Sequence, residues 1–121
     1  MFKQALADIV EKTEGATGAL IMGMDGIAVE RILLPEGSEA NMDVAAAEVT
    51  SLVRSAMRAG ANTGHGAPQE LFISFEGARV VARLLSPEYF VVLAMKPDGN
   101  VGRGRYELRK AELRLAREFA L

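Results

Sequence analysis

The sequence predicts an α+β fold in which a five-stranded antiparallel-type sheet is flanked by helices. Tight-turn signals such as Asp25-Gly26 join neighbouring apolar runs, which favours antiparallel pairing of the strands. Amphipathic segments before, between and after these runs give the order α-β-β-α-β-β-β-α. No βαβ unit repeats, which argues against a doubly wound nucleotide-binding fold. The length of 121 residues fits one domain, spanning residues 1–121.

The first element is a helix over residues 2–14. Apolar side chains such as Leu6, Ile9 and Val10 recur on one face with a period near 3.6. Gly15 follows, and glycine is the usual residue just after the end of a helix. We therefore expect the helix to stop there and its apolar face to cover the sheet.

A hairpin follows, with strands over residues 17–24 and 27–33. Asp25-Gly26 between them predicts a type I′ turn, which requires positive φ at both central positions. The first strand is apolar on both faces, which predicts a central place in the sheet. The second strand alternates more and carries Glu30, which places it nearer an edge.

The middle helix, over residues 43–60, is the most informative element, and Asn41 or Asp43 is its expected N-cap. Its predicted core stripe contains Ala45, Val49, Leu52, Val53 and Ala56. The opposite side is unusually poor in long charged side chains. It carries Ala47, Thr50, Ser51 and Ser55, with Arg54, Arg58 and Glu48 as its charged members. Small side chains let another backbone approach closely, so we expect a partner or a second copy of the chain to cover this side. The alternative is a helix that is alanine-rich because alanine favours helix formation.

Three strands over residues 69–76, 79–85 and 89–95 come next, before a last helix over 101–121. The first of these strands is aromatic and follows the long helical crossover, which makes it a candidate edge. An open edge tends to pair with another chain, so Phe72 and Ser74 join the predicted dimer interface. The alternative, equally weighted, is an internal strand whose aromatic residues belong to the core.

The last helix carries six basic and three acidic residues between Arg103 and Glu118. Its basic side could meet an acidic partner or an anionic membrane surface. The favoured alternative is a solvated helix stabilised by pairs within the helix, Arg109–Glu112 and Arg114–Glu118. Its apolar side contains Leu108, Ala111, Leu115 and Phe119.

Composition excludes several function classes. The chain has no cysteine, which rules out disulfides and thiolate chemistry, and its net charge of −2 gives no field for binding nucleic acid. Charges interrupt the N-terminal segment, which does not read as a signal peptide, and no apolar run is long enough to span or insert into a membrane. We expect a soluble, cytoplasmic protein.

The residues themselves support no catalytic site, metal site or cofactor. His65, the single histidine, lies between glycines that would leave a general base poorly positioned. Gly102-Arg103-Gly104-Arg105 lacks the Gly-Lys-Ser/Thr of a phosphate-binding loop, and we interpret it as the first turn of the last helix. The serines lie in no Gly-x-Ser-x-Gly elbow. We therefore expect a binding protein and not an enzyme.

The whole pattern resembles the Roadblock / dynein light-chain family, and within it the MglB-type bacterial regulators of Ras-like small GTPases. The resemblance is carried by the hairpin from Gly18 to Val29, the alanine-rich middle helix, the three later strands and the two terminal helices. It implies a homodimer with a continuous sheet, which binds a Ras-like GTPase and acts without catalytic residues of its own. The residues it would use are Ala47, Thr50, Ser51, Arg54, Ser55 and Arg58. A structural light-chain adaptor and a profilin- or PAS-like small-molecule sensor, with room beside Gly23, remain the alternatives.

Overall fold

The eight predicted elements are present in the predicted order in the computed structural model, which describes residues 2–34 and 39–119. They are α1 (Phe2–Lys12), β1 (Ala16–Gly23), β2 (Ala28–Leu33), α2 (Glu39–Thr63), β3 (Glu70–Ser74), β4 (Arg79–Leu84), β5 (Tyr89–Met95) and α3 (Val101–Phe119). The α+β fold class is confirmed. Because α2 begins at Glu39, Asn41 and Asp43 lie inside the helix, and the predicted N-cap at either residue is wrong.

The five strands form one antiparallel sheet in the order β2-β1-β5-β4-β3. The prediction that β1 is the central strand is wrong, because β5 holds that position. Both strands are almost wholly apolar, and both are buried on both faces. Burial on two faces therefore identified β1 as an internal strand, but it did not show which internal strand lies in the middle of the sheet. The two edges are β2, as predicted, and β3.

The sheet separates two apolar cores. On one face α1 and α3 pack against a core that includes Leu6, Leu93 and Leu108. On the other face α2 packs alone, over a smaller core that includes Val53 and Phe90. The helix with the lowest proportion of charged residues therefore covers its side of the sheet without a neighbouring helix among the described residues.

The first hairpin turns differently from the prediction. Gly26 has φ of 86°, but no non-glycine residue within 2–34 and 39–119 has positive φ, so Asp25 cannot occupy a type I′ turn. The Gly26 amide donates to the Gly23 carbonyl at 3.0 Å, and the Asp25 carboxylate accepts from the Ile27 amide at 3.0 Å. This is a three-residue loop in which an ordinary turn is followed by a left-handed glycine. The Asp25 side chain stabilises it by mimicking a backbone acceptor.

Gly15 is required for two reasons. It has φ of 87°, and a Cβ built on it would lie 2.6 Å from Gly99 Cα, in the turn before α3. Gly26 has the same backbone conformation, but its Cβ would meet nothing within 4 Å. Comparing substitutions at the two glycines therefore distinguishes two contributions to the free energy of unfolding. One is the strain of a left-handed backbone, and the other is the clash where two turns approach closely.

We predict that Gly15→Ala destabilises the fold more than Gly26→Ala. Each substitution should cost about 1–2 kcal/mol for the left-handed conformation. Gly15→Ala should cost more than this, because backbone atoms of two turns must move apart. Urea denaturation of both variants measures the difference in the free energy of unfolding, and equal losses would contradict the prediction.

The last helix starts at the predicted place. The Asn100 side-chain oxygen accepts from the Arg103 amide at 3.0 Å and caps the helix N-terminus. Residues 102–105 lie in the first turns of α3, which confirms the interpretation of Gly102-Arg103-Gly104-Arg105 as helix. A Cβ on Gly104 would lie 2.8 Å from Leu93 Cδ2, so this glycine lets α3 lie close to the central strand.

Candidate protein-binding surface

The outer side of β3 is an open sheet edge. The Phe75 amide donates to the Ala78 carbonyl at 2.8 Å, and the Leu84 amide donates to the Gln69 carbonyl at 3.1 Å. Antiparallel ladders alternate between residues that bond inward and residues that face outward. The register therefore turns the backbone amides and carbonyls of Phe72 and Ser74 away from β4, toward the open edge. The sequence left two alternatives for this strand, an edge or an internal position, and in the structure it is an edge strand.

The side chains of Phe72 and Ser74 lie on the sheet face opposite α2. The guanidinium of Arg105, on α3, stacks over the Phe72 ring at 5.0 Å from its centroid. Leu71, their neighbour, packs instead into the α2 core. The structure therefore does not bring these two side chains together with the predicted face of α2. What Phe72 and Ser74 offer at the open edge is their backbone.

Ion pairs fix α3 against β3 and β4. Arg83 of β4 contacts Glu112 at 2.6 Å and Glu70 at 3.7 Å, and Arg105 contacts Glu70 at 2.9 Å. The predicted pair between Arg109 and Glu112 is wrong, because Glu112 turns toward the sheet. The predicted Arg114–Glu118 pair is also wrong, because Arg114 contacts Asp8 of α1 at 3.4 Å.

The stripe of α2 that faces the sheet is rotated from the prediction. Its buried residues are Ala46, Val49, Thr50 and Val53, with Met57 packed at the end. Ala45 and Leu52, which were predicted to be core, are exposed, Leu52 by 42%. The prediction placed Leu52 inside, whereas the helix turns Ala46 and Thr50 toward the sheet in its place.

Thr50 does not belong to the exposed side of α2. It is 2% exposed, and its hydroxyl donates to the Ala46 carbonyl of its own helix at 2.7 Å. This internal hydrogen bond lets a polar residue lie within an apolar stripe. Its inclusion among the partner-binding residues is therefore wrong, and the polar hydroxyl explains why sequence reasoning placed it outside.

The outer face of α2 contains six exposed residues between residues 44 and 58: Val44, Ala47, Glu48, Ser51, Ser55 and Arg58. Four of them were predicted to bind a partner, and Glu48 was predicted as a charged member of this side. Val44 was missed, although it is 65% exposed and follows the i, i+7, i+11 spacing that aligns it with Ser51 and Ser55. The Arg58 guanidinium donates to the Ser55 hydroxyl at 3.0 Å and lies along the helix. This face therefore presents mostly small side chains, with Glu48 and Arg58 as its charged members.

Arg54 lies on a flank of α2 that contacts the first hairpin. Its guanidinium donates to the Met24 carbonyl, and on the same side Arg31 of β2 contacts Asp43 at 2.6 Å. Leu52 lies about 200° around the helix from Arg54, since each residue turns about 100°. The flank with Leu52 therefore faces the β3 side of the sheet, where the edge is open.

Few features point to small-molecule chemistry. The described residues contain no cluster of His, Asp and Glu that could hold a metal ion. His65 is exposed in the loop after α2, and its amide donates to the Gly60 carbonyl at 2.9 Å as part of the helix C-cap. The space beside Gly23 is filled by the Asp25 carboxylate, 2.5 Å from where a Cβ would be. No helix among the described residues has the length and apolar character to cross a membrane.

The α+β arrangement, with two helices on one sheet face, one on the other and an unpaired edge strand, defines the class of the domain. The Roadblock/LC7 domain model matches residues 3–94, and the chain belongs to the Roadblock/LC7 family. No curated protein matches it.

Three solved structures are similar to this chain. MglC from Myxococcus xanthus is 35% identical, with 97% of this chain and 98% of that chain covered and a TM-score of 0.74. A Roadblock/LC7 domain from Streptomyces avermitilis is 13% identical, with coverages of 98% and 97% and a TM-score of 0.86. The gliding protein MglB from Thermus thermophilus is 18% identical, with coverages of 95% and 85% and a TM-score of 0.84. The chain is thus a small regulatory or adaptor domain of the Roadblock/LC7 family.

Proposed function

We propose that this protein is a non-enzymatic regulator that forms a homodimer and binds a Ras-like small GTPase. The observation that carries the proposal is the open β3 edge, together with a helix on one side of the sheet whose outer face carries mostly small side chains. The backbone of Phe72 and Ser74 would pair with the same strand of a second copy. The outer face of α2, with Ala47, Ser51 and Ser55, would pack in the same assembly.

Two-fold symmetry favours this arrangement. A strand edge is self-complementary when it pairs antiparallel with its copy, and such pairing would extend the five-stranded sheet across two chains. It would also bring two α2 helices side by side on one face of the joined sheet. Small side chains such as Ser51 and Ser55 allow that approach, and Arg54 and Arg58 would border it. The GTPase would meet the paired helices.

The regulator would act on chemistry that the GTPase already contains. Both arginines of α2 are engaged within this chain, Arg54 with the Met24 carbonyl and Arg58 with the Ser55 hydroxyl. We therefore propose that binding reshapes the GTPase active site without inserting an arginine from this chain. In this proposal residues 1–121 act as one domain, without a cofactor, in the cytoplasm.

The test uses a Ras-like GTPase encoded beside this gene. We expect the purified protein to bind it in one nucleotide state, and binding should change the rate of GTP hydrolysis measured by phosphate release. Binding in neither state would overturn the proposal. Binding that ignores the nucleotide and leaves the rate unchanged would favour a structural light-chain adaptor instead.

A further inference from the structure

The exposed side of α3 has a one-sided charge. Among its described side chains, residues 101–118, the exposed charged residues are Arg103, Arg109, Lys110, Arg114 and Arg117. Two of its three acidic residues form ion pairs with described residues, and the third, Glu118, is half-buried. Glu107 is buried and pairs with Arg103 at 2.7 Å, and Glu112 pairs with Arg83 of the sheet. A helix of mixed charge in the sequence therefore has a basic surface in the structure.

Two large apolar side chains lie within this basic surface. Tyr106 is 50% exposed and Leu113 is 69% exposed. They are seven residues apart, which puts them on one face about 10 Å from each other along the helix. Lys110 lies between them, and Arg117 continues the row one turn beyond Leu113. We name Tyr106, Arg109, Lys110, Leu113 and Arg117 the basic stripe.

Three cations of the basic stripe are not neutralised within the described residues. Arg103 is paired with Glu107 and Arg114 with Asp8, but no ion pair joins Arg109, Lys110 or Arg117 to a described carboxylate. Arg117 donates only to the Leu113 carbonyl of its own helix, at 3.4 Å. The chain as a whole has a net charge of −2, so this positive surface is a local feature.

We propose that the basic stripe docks an acidic amphipathic segment of another protein, with carboxylates over Lys110, Arg109 and Arg117 and an apolar residue against Leu113. Charge complementarity and the spacing of Tyr106 and Leu113 favour this partner, because a helix presents residues i and i+7 at the same interval. A lipid surface fits less well, since two apolar side chains bury too little area for stable insertion.

The basic stripe lies on the face of the molecule away from the proposed dimer and GTPase surface. α3 covers the sheet face opposite α2, so an acidic partner and a GTPase would not compete for space. The inference therefore goes beyond the proposed function and does not depend on it. A partner held here would attach the regulator to a larger assembly and leave α2 accessible.

The test measures binding of a labelled helical peptide of about 15 residues, rich in glutamate with leucine at i and i+7, by fluorescence anisotropy. We expect Lys110→Glu to weaken binding about tenfold or more, and Lys96→Glu to leave it unchanged. Lys96 has the same charge but lies in the turn after β5. Leu113→Ser should also weaken binding. Ile27→Ser, at a hairpin residue exposed by 66%, should have no effect.

Each other outcome overturns the proposal. Equal losses in the stripe variants and their controls would show attraction without a defined site. Loss in Lys110→Glu with none in Leu113→Ser would show a purely ionic surface. Binding to vesicles containing phosphatidylserine, without binding to the peptide, would identify a membrane surface. Sedimentation of each variant reports dimerisation separately, so failure here is distinguishable from failure of the proposed function.

Discussion

Replacing Ser55 by arginine should leave the fold intact and abolish dimerisation or GTPase binding. Ser55 is exposed on the outer face of α2, where arginine would break only the hydrogen bond that the exposed Arg58 side chain donates to the Ser55 hydroxyl. In the proposed assembly that space is filled by the neighbouring helix. We expect the dissociation constant to rise at least about 100-fold, or about 2.8 kcal/mol. Ser51→Arg should have the same effect.

Thr50→Arg is the matched control, because it makes the same kind of change one residue from Ser51. Thr50 is buried against the sheet, so arginine there would place an unpaired charge in the α2 core. The cost should be several kcal/mol of folding free energy, a large share of what a small domain has. Thermal denaturation and sedimentation equilibrium separate the two effects. Wild-type assembly of both Ser51→Arg and Ser55→Arg would contradict the proposed surface.

Replacing Ser74 by proline should prevent assembly without unfolding the protein. The alternation of β3 hydrogen bonds turns the Ser74 amide toward the open edge, so its loss breaks no bond to β4. Proline is tolerated at such outward positions of edge strands. In a two-fold assembly paired through this edge, each copy would lose a donor and gain a clash. We expect a monomer at concentrations where the wild type is a dimer.

Ile73→Pro is the control for this strand. The alternation turns the Ile73 amide inward, toward Val80 of β4, so proline removes a hydrogen bond inside the sheet. We expect a loss of about 1–3 kcal/mol of stability, because the Val80 carbonyl is left without its donor, and urea denaturation measures it. A dimer that persists in Ser74→Pro would mean that the β3 edge does not pair with a second copy, whatever the role of α2.

The hairpin and helix patterns were sufficient for the element order, because they depend on local chemistry. Gly15 and Gly26 marked the helix end and the turn, and both have the left-handed backbone that favours glycine. The details of the turn were not predictable in the same way. Asp-Gly occurs in both I′ turns and longer loops, and the difference depends on where strand pairing resumes.

The candidate site was predictable in part. Exposure of Ala47, Ser51 and Ser55 followed from their small size on one side of a helix, whereas the position of Thr50 did not. A threonine hydroxyl that bonds its own helix behaves as an apolar residue, and the sequence carries no sign of that choice. The exposure of Leu52 depended on how α2 is rotated over the sheet.

By itself, the sequence determined the α+β class, the number and order of elements and the lack of obvious catalytic groups. These depend on periodicity, turn residues and composition, which are local properties. The tertiary structure decided which strand is central, that β3 is an edge and which way α2 rotates. It also turned Glu112 toward Arg83 and Arg114 toward Asp8, which left the outside of α3 basic. Long-range pairing decides such features, because a side chain's partners depend on elements far away in the chain.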